Sequence, residues 1–297
     1  MRQLLSYNAN GEQELPPRRT HRPRNGASGK KPQQDEEDAM TIRPLTTDFS
    51  ILDEVGFDLP PVAVKFEFFE PEGYEPLDIQ LAMCEMPREA QKRGKAFYMT
   101  KDNENCMGKG AMGMTDGPGP SWAEGGLIGE RMGIFRDANV NKRCMTHYTV
   151  FAPKSVNYVL FAPLPVLDFE PDMLIFTGDI TQSGTILRAM SYMTGEPFES
   201  IATAVFQCAW MFPYPYLKNK VNYITLGTGH GTTARETYER GEVMVSVPAP
   251  YFAAILQGLK EMDLVPEAWA MGRDAWLEAE EGIYGKIVSD TAEAGLL

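Results

Sequence analysis

An α/β (or α+β) fold of two similar halves, with a mixed sheet and packed helices, is what this sequence predicts. Three observations carry it. Short alternating apolar segments recur between segments of helical spacing. The order strand, helix, strand, glycine loop, helix occurs twice, which suggests an internal duplication. Each glycine loop, residues 105–114 and 226–235, separates a strand pattern from a helix pattern, where glycine lets the backbone approach a ligand closely.

Residues 1–43 read as an extended or disordered arm. Basic blocks such as Pro16-Pro17-Arg18-Arg19 precede the acidic run Asp35-Glu36-Glu37-Asp38, and such composition cannot repay chain entropy by burial. One globular domain is expected over 44–282, with pseudo-repeats at about 50–165 and 166–262, and a mobile tail at 283–297. Residues 61–68 alternate as a half-buried strand. Residues 77–94 are expected to be helical, with Leu77, Leu81 and Cys84 on one face and Pro87 bending or ending the helix. Residues 95–100 form a strand and 102–103 a turn into the first glycine loop. A proline-glycine loop at 116–120 leads to helical patterns running from Trp122 toward Phe135 and over 137–147. In the second half, strands are expected at 156–161, 173–176, 221–226 and 244–247. Helices are expected within 178–195, from near Thr232, over 251–259 and over 266–281. The segment 211–216 is too proline-rich for a central strand.

The chain has 297 residues, 43% of them hydrophobic and 23% charged, which suits a soluble globular protein. A formal charge of -13 argues against nucleic acid or anionic membrane as a partner. Apolar runs fall short of the roughly 20 residues that span a bilayer. Arg18-Arg19 is followed by no apolar segment, so no export signal is read and the expected location is the cytoplasm. The acidic body and basic arm together suggest a homo-oligomer.

The chemistry-bearing residues are few. Cysteines stand at 84, 106, 144 and 208 without a Cys-x-x-Cys pair, which disfavours a disulfide framework. They are either inert thiols packing a methionine-rich core or ligands gathered by the fold. The glycine loops, through Gly108, Lys109, Gly110, Gly229, His230, Gly231 and Arg235, could cradle an anion, with Lys109 and Arg235 as countercharge. Neither loop matches a nucleotide-binding motif. Met107, Met112 and Met114 could flank a flat cofactor, and Phe206, Trp210, Phe212, Tyr214 and Tyr216 could wall an organic pocket; core packing explains both groups as well. Hydrolytic chemistry finds no serine motif or carboxylate pair, although a Cys106–His230 nucleophile pair would form if the loops met.

Several segments together resemble the family catalogued as domain of unknown function 169. They are Pro-Val-Ala-Val-Lys at 61–65, Cys84, Cys-x-Gly-x-Gly-Ala at 106–111, Cys208 ahead of a Pro-Tyr element, Asn-x-x-x-Leu-Gly at 222–227 and Val-Pro at 247–248. The resemblance spans roughly residues 50–262, and its specificity lies in the order of the segments. It implies the habitat of its members, mostly anaerobic bacteria and archaea, and with it iron–sulfur ligation. Members often carry a further cysteine in the second glycine loop, where this chain has Thr228-Gly229-His230-Gly231. The expectation is therefore an iron–sulfur cluster held by Cys84, Cys106 and Cys208 with Cys144 or His230, serving electron transfer to a redox partner protein or redox sensing. The alternatives are a metal-free binding protein for an anionic or aromatic ligand, and a cysteine-dependent enzyme using Cys106.

Overall fold

Runs of valine, isoleucine, phenylalanine, tyrosine and methionine pack well on a pleated, buried surface, and six of them form the sheet. The computed structural model describes residues 45–117 and 126–296, which belong to one compact unit. In chain order, β1 (Val62–Glu67) leads through a 3-10 turn (Met83–Glu85) into α1 (Met86–Arg93) and β2 (Phe97–Met99). Next come α2 (Gly108–Ala111), α3 (Leu127–Arg131), α4 (Ala138–Met145), β3 (Tyr158–Pro163), β4 (Met173–Gly178) and α5 (Ile180–Thr194). They are followed by α6 (Gln207–Met211), α7 (Pro213–Lys218), β5 (Asn222–Thr225), α8 (His230–Ala234), β6 (Val243–Pro248) and α9 (Phe252–Glu261). The chain closes on α10 (Glu267–Ala270) and α11 (Arg273–Glu293).

The strand order is β2-β3-β1-β4-β6-β5. Every ladder is antiparallel; the parallel contacts among the described residues are the isolated bridges Pro76–Tyr98 and Leu81–Glu104. On one side of the central β1–β4 pairing, β1 is followed outward by β3 and β2. On the other side, β4 is followed by β6 and β5. Val62 faces Pro163 in the first half, as Met173 faces Pro248 in the second. The connectivity repeats; a duplication of sequence is not shown.

Alternation of side chains splits the core in two. Val62, Val64, Phe97, Phe161, Met173 and Ile175 face one layer, which includes Met83, Met86, Met112 and Trp210. Ala63, Leu160, Leu174, Phe176, Val245 and Val247 face α5 and α9. The first layer holds the cysteines Cys84 and Cys208. Both sheet rims are occupied by neighbouring chain. At β2, Leu77 N–H donates to the Tyr98 carbonyl (2.7 Å) and Tyr98 N–H to the Glu75 carbonyl (3.1 Å). At β5, the Ser200 hydroxyl donates to the Tyr223 carbonyl (2.8 Å).

Several local expectations change. Residues 77–82 are irregular rather than helical, because several of their backbone groups bond to β2 and the turn after it; Leu81 N–H, for example, donates to the Asn103 carbonyl (2.9 Å). Pro87 starts α1 instead of ending it, since its missing N–H would have no partner in the first turn anyway. The proline-rich stretch is, as expected, no central strand; it is helical as α7, with Pro213 again at the start. The last helix continues through Glu293, into the stretch expected as a tail. The arm 1–43, the tip of the 116–120 loop and the Trp122 start of the next helical stretch lie outside the described residues. No helix among the described residues is long and apolar enough to cross a membrane.

The α5–α9 contact depends on Gly258, where an added Cβ would lie 2.4 Å from the Ala189 carbonyl oxygen. Gly258→Ala is expected to cost about 1–3 kcal/mol, read as a lower urea midpoint, while Gly184→Ala, which has open space, should not lower it.

Candidate functional site

Three cysteines reach this site from three separate elements. Cys84 sits in the 3-10 turn Met83–Glu85, Cys106 in the loop before α2, and Cys208 in the first turn of α6. Glu104 joins the first two. It is 1% exposed, and its carboxylate accepts from the N–H of Met83 and of Lys109 (both 3.2 Å). Lys109 Nζ donates in turn to the Glu104 carbonyl (2.8 Å). Burial pushes the Glu104 carboxyl upward, while these N–H bonds and Lys109 pull it back. Gly108 lies so close beneath that an added Cβ would stand 2.6 Å from Met83 Cβ.

The second glycine loop locks onto α6. Buried Gln207 lies against Gly229, and its Oε1 accepts from the Thr232 hydroxyl (2.7 Å). Any Cβ on residue 229 would fall within 2.0 Å of the Gln207 side chain, so glycine is required by close approach. His230 N–H donates to the Ala204 carbonyl (2.7 Å). Gly231 faces Cys84, with its Cβ direction ending 3.5 Å from Sγ. The two loops therefore meet, as their pattern predicted.

Between them lies a pocket of about 210 Å³, lined by Cys106, Cys208, Phe206, His230, Arg235 and their neighbours. Two larger clefts, of about 530 and 540 Å³, have neither cysteine nor histidine in their walls, so the chemistry singles out the smaller one. Phe206, directly before α6, has a φ of 54°, a left-handed conformation that costs energy for a side chain of this size. Such outliers persist where the surroundings hold them, and here the strained residue forms the pocket wall.

Cys106 is exposed; Cys84 and Cys208 are buried. Burial pushes the Cys84 thiol up to about 12, against the pull of Arg235. Cys208 is raised well above the usual thiol range, by burial first and then by Cys84, Glu104 and Cys106. The Cys84 carbonyl accepts from Tyr238 Oη (2.8 Å). Arg235 Nε lies 3.4 Å from Glu85 Oε2, and Nη1 donates to the Gly231 carbonyl (3.4 Å).

Other candidates are placed elsewhere. Cys144, on α4, has Tyr148 Oη at 4.0 Å, and Tyr148 in turn bonds Thr203 and the Val205 carbonyl; neither Cys144 nor Cys84 lines the pocket, but Cys84 adjoins it behind Gly231. Lys109 is engaged with Glu104, so the first loop's countercharge is already used. Gly110 is buried within α2. Trp210, Phe212 and Met112 are core residues with no exposure. Among the described residues, no group of three or more His, Cys, Asp or Glu side chains is gathered to hold a single metal ion. Sequence reasoning missed Glu104, Gln207 and Tyr238. The signal available was weak: one acidic residue and one amide, each next to or two residues from a cysteine.

With both unfolded thiols ionising near 9 and both folded ones raised, their contribution to stability is complete below pH 9. It is lost as pH rises through the folded values, that of Cys84 being about 12. Cys208→Ala is therefore expected to flatten the fall in thermal midpoint above pH 9. At pH 8, iodoacetamide should label Cys106 before Cys84 and Cys208, which react on unfolding; peptide mass mapping reads the order.

A model of the family described as an uncharacterised ArCR family, domain of unknown function 169, matches residues 50–258. An uncharacterized protein of Methanocaldococcus jannaschii is 28% identical over 227 residues, which cover 75% of this chain and 94% of that protein. No solved structure matches.

Proposed function

This chain belongs to that uncharacterised ArCR family, and for it we propose that Cys84, Cys106 and Cys208 bind an iron–sulfur cluster used for electron transfer or redox sensing. One observation carries the reading: three thiols from distant segments converge between two glycine loops. The donor set fits, because thiolate is the usual protein ligand of such clusters. In a four-iron cluster each ligand binds a different iron, so the thiols need not meet at one ion.

The surrounding residues support the same use. Burial keeps Cys84 and Cys208 protonated until a metal displaces the proton, so ligation would release protons. Glu104 fixes the spacing of the Cys84 turn and the Cys106 loop. Gly231 leaves room beside Cys84 Sγ, and Arg235 supplies positive charge there. Exposed Cys106 gives a redox partner protein access to the edge of the site. A bound cluster would supply one-electron chemistry, with one corner left to a ligand other than a cysteine of this set.

Protein purified without oxygen and reconstituted with iron and sulfide is expected to be brown and to carry roughly four irons and four sulfides per chain. Cys84→Ala, Cys106→Ala and Cys208→Ala should each lose most of that iron, and Cys144→Ala should keep it. A colourless, iron-free wild type after reconstitution would overturn the proposal.

A further inference from the structure

Beside Cys106 and Cys208, the pocket lining includes polar residues, Arg235 and His230, and apolar ones, Phe206, Val205, Met107 and Met132. Lys109, the other cation of the glycine loops, is turned onto the Glu104 carbonyl. Arg235 is only loosely held: Nε is 3.4 Å from Glu85 and Nη1 is 3.4 Å from the Gly231 carbonyl. A guanidinium presents five donors in a planar fork, so these contacts, through Nε and Nη1, leave Nη1 and Nη2 donors able to take a carboxylate end-on. A cavity of about 210 Å³ has room for a small organic acid.

We propose that this pocket binds a small monocarboxylate with an apolar tail, the carboxylate on Arg235 and the tail against Phe206. The inference deepens the cluster reading and rests on it for any chemistry, since the acid would share the pocket with Cys106 and Cys208. Binding itself needs only this chain's side chains. Glu85 and Glu104 are the acidic groups facing the thiols. Glu104 is already enclosed by N–H donors, and Glu85, which also accepts from Ala82 N–H, pairs with Arg235 through Nε and leaves the Nη2 donors unengaged among the described residues. The strained backbone of Phe206 holds the ring at the wall while its neighbours Gln207 and Cys208 enter α6.

The test is isothermal titration of reduced, metal-free full-length protein with acetate, butyrate, phenylacetate and the neutral counterpart butyramide. Butyrate or phenylacetate should bind saturably and more tightly than acetate or butyramide. Arg235→Gln should weaken that binding at least tenfold, with partial recovery in Arg235→Lys. Phe206→Leu should weaken the two tailed acids and leave acetate unchanged, which separates a binding role from a folding defect; far-ultraviolet circular dichroism checks that each variant folds. Absence of saturable binding by every acid, or equal binding by wild type and Arg235→Gln, overturns the inference. If the acids bind through Arg235 while reconstitution yields no iron, the cluster reading fails and this one stands. If iron is taken up and no acid binds, the reverse holds.

Discussion

A buried carboxylate holds this site in register. Glu104 receives N–H bonds from the turn that carries Cys84 and from the start of α2, directly after Cys106. A carboxylate without such donors would be costly at 1% exposure. The two segments are therefore held together by a group that must be satisfied. Because Lys109 Nζ also bonds the Glu104 carbonyl, the loop is tied through backbone and side chain at once. Cys208 is brought in from the other half by an analogous device, in which buried Gln207 is gripped by Thr232 and seated on Gly229.

Those two devices explain why glycine clusters where it does. Gly108 and Gly229 are required by neighbours that leave no space for a Cβ, whereas a Cβ at Gly231 would make only ordinary contact with Cys84 and Arg235. None of the three has a left-handed backbone. At Gly108 and Gly229 the pressure for glycine comes from packing beside the cysteines, and the loops serve as walls more than as donors of free N–H groups. This changes the chemical meaning of the first loop: its N–H group at Lys109 is already bonded to a carboxylate.

Much of the architecture was legible in the sequence, because strands such as 61–68 and helices such as 178–195 carry clean periodicity. The convergence of the two glycine loops was legible from their equivalent places in the strand order. What failed was local. Residues 77–82 show helical spacing, yet their hydrogen bonds go to β2 and its turn, a partner that periodicity cannot reveal. Pro87 reads as a breaker, while a proline in a helix's first turn is as compatible with starting as with stopping. At the site, cysteines 84, 106 and 208 were identifiable because thiols are rare. Their supports, Glu104 and Gln207, were not, since nothing in one sequence marks a polar residue as buried. Cys144 looked like its three counterparts and is distinguished only by position.

The covered rims of the sheet have a consequence of their own. An open strand edge is a template for joining another strand, the route by which many sheets add a peptide or aggregate. Here β2 has its outward backbone groups engaged by residues 75–77, and Ser200 occupies a carbonyl on the far side of β5. Both border strands are also short, three and four residues. A second molecule is thus steered away from the ribbon ends toward helices and loops, the surfaces where side-chain identity, rather than backbone geometry, decides who docks.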